Sequence, residues 1–134
     1  MERVELPVNP ASITDIHKME KTMNILNILW TSDNAETAQH MIALYAVNAL
    51  KNAWFDKVQV IIWGGSNTLI AENESVQQTV RDMIAAGVHV QACKACADRM
   101  GTTGLLESLG VGVYYIGEHL SDILKDEAQR LLSV

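Results

Sequence analysis

The sequence predicts an α/β protein with three layers, α/β/α, around a parallel sheet of about five strands. Three observations carry this expectation. Short apolar runs rich in β-branched residues recur along the chain, each too short for an ordinary buried helix. Each is followed by a stretch whose apolar residues fall three and four apart, as on one face of a helix. The two patterns alternate from Met23 onward, the order that sets parallel strands side by side with helical crossovers packed against them.

The elements follow in order. Residues 1–22 contain Pro7 and Pro10 and show no period, so they read as an arm with a helical turn or two around Ile13 to Met19, and 23–134 as the α/β domain. MNILNILW (23–30) suits a strand buried on both faces. Behind it Asp33 and Glu36 have the spacing of a capping box. Ala38, Ile42, Tyr45, Ala49 and Ala53 then continue at helical spacing, giving a helix over 34–54. KVQVIIW (57–63) is the second strand and GGSNTLI (64–70) a loop. Asn73 caps a helix that lines up Val76, Val80, Met83 and Ile84 before Gly87 stops it. VHVQA (88–92) is the third strand, followed by a short helix to Met100. A further helix is capped by Thr103, carries Leu105, Leu106 and Leu109, and ends at Gly110. GVYYIG (112–117) is the fourth strand, HLSDILKDEA (119–128) a helical segment, and RLLSV (130–134) a short strand expected to pair with the first.

Composition narrows the function. A chain of 134 residues with 49% apolar content suits one domain with a proper core. Sixteen acidic against ten basic residues, a net charge of -6 and no Lys/Arg cluster argue against nucleic-acid binding, because a phosphate backbone is met by a basic surface. No run approaches the ~20 apolar residues of a membrane span, and the N-terminal residues lack the apolar stretch of a signal peptide. A cytoplasmic protein without membrane contact is expected. Its two cysteines, Cys93 and Cys96, are then expected as reduced thiols.

Open parallel sheets bind ligands beyond the carboxyl ends of their strands. Here those ends are Thr31 to Asn34, Gly64 to Asn67, Cys93 to Cys96, and Gly117 to His119. Cys93 closes a strand and opens a helix, where backbone N–H groups and the positive end of the helix dipole favour a thiolate, and Lys94 is adjacent. Cys96 lies one helical turn on. The plain alternative is two small core residues at a strand-helix junction. No metal is expected: zinc takes about four ligands, a lone Cys-x-x-Cys supplies two, His89 points from within a strand, and His17, His40 and His119 have no zinc spacing. A thioredoxin-type pair would normally face a cis-proline, yet both prolines lie in the first ten residues. A sulfur carrier needs only one activated thiol, which Cys93 supplies.

Thr31, Ser32, Asn67 and His119 are weaker candidates for pocket contacts near the strand ends. GGSN (64–67) lacks both the Lys of a P-loop and the spacing of a dinucleotide fingerprint, so it reads as a glycine turn with Asn67 as a polar contact beside Cys93. Trp30 and Trp63 close the first two strands as core or pocket walls, and Asp33 is a helix cap rather than a base.

The ordered series LNILWTSD, VQVIIWGGSNTLIAEN, AAGVHVQACKACADRMG and LGVGVYYIGEHLSDIL resembles the DsrE/DsrF-like family of small sulfur-relay proteins, from about Met23 to Val134. The resemblance implies a flavodoxin-like α/β/α fold. It also implies a strand-end cysteine, matching Cys93, that accepts sulfane sulfur as a persulfide without a cofactor. A homo-oligomer, foremost a trimer or hexamer, and a protein sulfur donor or acceptor go with it. Cys96 goes beyond the single-cysteine pattern. It leaves two alternatives open: a thiol-disulfide redox protein using Cys93 and Cys96, and a small-ligand-binding module with inert cysteines.

Overall fold

The computed structural model describes residues 23–134. The helical turns expected around Ile13 to Met19 lie outside the described residues. Five strands form one parallel sheet in the order β4-β3-β2-β1-β5. They are β1 (Ile25–Trp30), β2 (Lys57–Ile62), β3 (His89–Cys93), β4 (Gly112–Tyr114) and β5 (Gln129–Ser133). The terminal run pairs with β1 as expected: Ile25 sits opposite Gln129 and Leu29 opposite Ser133, and Val134 continues the ladder by donating its N–H to Leu29 O at 2.8 Å.

The helices divide unequally between the two faces. From β1 to β4 the chain steps across the sheet in one direction, so right-handed crossovers place their helices on one side. These are α1 (Ala35–Thr37), a π turn (Ala38–Ile42), α2 (Ala43–Lys51), α3 (Ser66–Glu72), α4 (Glu74–Ala85), α5 (Lys94–Met100) and α6 (Thr103–Ser108). Against them pack Leu26, Ile28 and Trp30 of β1 and Val58, Val60 and Ile62 of β2, in the larger core. The return from β4 to β5 crosses the opposite face through α7 (Gly117–Lys125). Beneath it lies a smaller core of Leu29, Ile61, Cys93, Ile116 and Ile123. The candidate cysteine therefore belongs to the thinly covered face.

That face also carries a chain of amides. Gln91 Nε2 donates to Gln59 Oε1 at 2.6 Å, Gln59 Nε2 to Asn27 Oδ1 at 2.6 Å, and Asn27 Nδ2 to Gln129 Oε1 at 2.9 Å. Asn27, Gln59 and Gln91 are all buried. Their pairing across neighbouring strands offsets the desolvation that would otherwise bar them from an interior.

Several expected boundaries shift. The helix cap is Asn34, whose Oδ1 accepts the Thr37 N–H at 2.8 Å, rather than Asp33. The helix expected over 34–54 begins at Ala35, passes through the π turn and ends at Lys51; Ala53, at φ 57, lies in the loop beyond it. GGSNTLI is not a loop from end to end: α3 starts at Ser66, because its polar residues turn inward. Ser66 Oγ donates to Trp30 O at 2.6 Å, and the Asn67 amide donates to Gly64 O and accepts from Thr102 Oγ1. A Cβ at Gly65 would lie 2.9 Å from the Thr31 carbonyl oxygen, so only glycine permits this approach of α3 to the end of β1. Asn73 caps α4 as expected, accepting the Val76 N–H at 3.0 Å. Thr103 is the first residue of α6 rather than its cap, and its hydroxyl donates to Asp98. The fourth strand stops at Tyr114, and Gly117 already opens α7.

Candidate functional site

Cys93 is the last residue of β3 and the N-cap of α5, with extended backbone (φ -70, ψ 115). Its side chain points to the face under α7 and is 7% exposed. Cys96, one turn into α5, is half-buried and packs against the same small core. Both thiols line a cleft of about 450 Å³, walled by Trp63, Tyr115, Ile116 and Leu120, with Arg99 as its charged lining residue. Lys94 is not among the lining residues; it is held by Asp98 at 3.2 Å and lies 5.9 Å from the centre of the Tyr115 ring. The Thr103 hydroxyl, then the Lys94 ammonium, hold the Asp98 carboxyl below its ordinary range.

The electrostatics correct one expectation. Burial pushes the Cys93 thiol above its ordinary pKa range. The Cys96 thiol beside it pushes the same way, while the N–H groups of Cys96 and Ala95 pull down. Desolvation wins, because a thiolate in this small apolar core loses more hydration than two backbone donors restore. Cys93 thus rests as a thiol at neutral pH, and Lys94 is too committed to Asp98 to change that. A raised folded pKa means that the thiol's contribution to stability is complete below the unfolded value of about 8.5 and is lost as pH rises through the folded value. Cys93→Ser is expected to abolish this alkaline loss, read as urea midpoints at neutral pH and above the thiol range. Parallel loss in both proteins would contradict the burial account.

Of the residues expected at the site, the fold brings together Cys93, Cys96 and Trp63. Thr31 donates its hydroxyl to Val134 O, and Ser32 accepts the Asn34 N–H, so both serve the end of β1. Asn67 is a fully buried residue of α3 itself, tied to Thr102 rather than placed in the Cys93 cleft. His119 is half-buried in the first turn of α7, outside the cleft lining, with its Nε2 buried and without a hydrogen-bond partner among the described residues. Sequence reasoning missed Arg99, Tyr115 and Leu120. Arg99 had a signal, since it falls three residues after Cys96 on a helix. Among the described residues no three His, Cys, Asp or Glu side chains gather as a metal site. A second cleft, about 380 Å³ between Met41, Tyr45 and Leu132, is wholly apolar.

No protein-family model matches the chain, and no curated protein matches it. Among solved structures, a conserved protein of unknown function from Bacteroides thetaiotaomicron, BT1422, is 34% identical over 83% of this chain and 95% of its own, with a TM-score of 0.79. The chain belongs to the same family as BT1422. The ychN protein from E. coli shares the fold at 17% identity and a TM-score of 0.62, over 84% of this chain and 100% of its own. Agreement with BT1422 across nearly its whole length shows that the two chains share this fold.

Proposed function

We propose that this protein is a DsrE/DsrF-like sulfur carrier of the cytoplasm, in which Cys93 accepts a sulfane sulfur as a persulfide and passes it to a partner protein. The observation that carries the reading is the position of Cys93: it closes a strand, caps α5 and lines an open cleft, where the Cys96 and Ala95 N–H groups favour its thiolate. The Cys93 thiol loses its proton to solvent as the donor arrives, and its sulfur attacks the donor's outer sulfur. A new S–S bond forms on Cys93, the donor's S–S bond breaks, and the donor leaves with the electron pair as a thiolate that takes up a proton. Those N–H groups stabilise the thiolate while it is attacking, which offsets part of its desolvation. The added sulfur stands about 2 Å farther out than the thiol did, within easier reach of an acceptor.

Intact mass after incubation with a persulfide donor tests the reading. Wild type and Cys96→Ser are expected to gain one sulfur atom, and Cys93→Ser none. No gain on wild type, or equal gain on Cys93→Ser, would sink it.

The closeness of the Cys96 thiol to Cys93 favours a second reading, a reversible disulfide. Mild oxidation would then remove two hydrogens and leave neither thiol alkylatable. Two alkylatable thiols after oxidation exclude it.

A further inference from the structure

The site's access and charge together select a donor. Cys93 is 7% exposed and lines its cleft, so a donor's outer sulfur must reach into the cleft to meet it. A cleft of about 450 Å³ is the size that encloses a small molecule. Its walls are apolar and aromatic apart from Arg99, which is exposed in the last turn of α5 and forms no ion pair among the described residues. Lys94, the other cation of that helix, is occupied by Asp98. A chain of net charge -6 thus sets a cation at the lining of this thiol-bearing cleft.

We propose that the sulfur donor is a low-mass persulfide bearing a carboxylate, which Arg99 holds while the outer sulfur meets Cys93 Sγ. This rests on the persulfide reading above and adds the chemical class of its substrate. A guanidinium suits the role, since its planar fork donates two parallel hydrogen bonds to a carboxylate. The transfer balances as before: Cys93 gains an S–S bond, the donor's S–S bond breaks, and the donor departs as its parent thiol after taking up one proton. The donor's sulfane sulfur is the oxidising equivalent, so no separate oxidant enters. Arg99 touches the far end of the donor and no reacting atom, so it acts in binding.

The test measures sulfur uptake by intact mass against donor concentration. It uses glutathione persulfide, which carries carboxylates, and mercaptoethanol persulfide, whose tail is uncharged. Arg99→Gln is expected to raise the half-saturating concentration of glutathione persulfide roughly three- to tenfold, with the maximal rate unchanged. Mercaptoethanol persulfide should be used equally well by both proteins, and Arg99→Lys should recover part of the loss. Equal melting temperatures of wild type and Arg99→Gln check that the fold is kept. Equal effects on both donors, or no effect on either, overturn the assignment of Arg99 while leaving the persulfide reading intact. Failure of both donors to load wild type removes the persulfide reading, and this inference with it.

Discussion

Gln59→Leu destabilises the fold by about 2–5 kcal/mol, because it orphans a buried group on each side. Gln59 is the middle of the amide chain across the sheet: it accepts from Gln91 and donates to Asn27. Leucine keeps most of the volume, so the loss is polar rather than steric. Removing one partner of a buried hydrogen bond costs more than removing both, since an unpaired amide still gives up its hydration. The double variant Gln59→Leu/Gln91→Leu should therefore be more stable than Gln59→Leu alone. Urea unfolding reads both values. A single variant within about 0.5 kcal/mol of wild type, the range of a surface change, would show that water reaches these amides.

Ile123→Ala costs about 2–4 kcal/mol and speeds alkylation of Cys93. Ile123 is 2% exposed on α7 and packs in the same small cluster as Cys93, Leu29 and Ile61. The large core on the other face draws on several helices, whereas this one has α7 as its helical cover, so little can move in to fill the space. The loss should fall on α7 first and appear as local opening. Thiol labelling in the absence of denaturant, followed by mass, measures it; unchanged labelling of Cys93 would mean that α7 does not govern access.

Much of the fold is legible in the sequence because strand and helix periods are local properties. The strand beginning at Ile25 and the cap at Asn73 each appear in a few neighbouring residues. RLLSV could be placed beside the first strand because a parallel sheet with a terminal apolar run has an edge to fill. Boundaries that depend on distant partners were not legible. Ser66 and Asn67 look like loop residues until the ends of β1 and β2 and Thr102 are seen to accept or donate to them. Asp33 and Asn34 are equally good caps on paper, and the backbone's exit from β1 chooses Asn34.

The site divides along the same line. Sequence by itself determined that two thiols stand one helical turn apart at the end of a buried parallel strand, since strand length and helix start are set by nearby residues. Tertiary structure decided which of them is buried and what faces them. The return of α7 across the open face encloses Cys93 in an apolar core, so desolvation outweighs the pull of the helix N–H groups and the resting group is a thiol. The same crossover brings Tyr115 and Leu120 opposite Arg99 to make the cleft. Charge stabilisation depends on the surrounding dielectric as much as on the neighbouring dipoles, and that dielectric is built by residues far away in the chain.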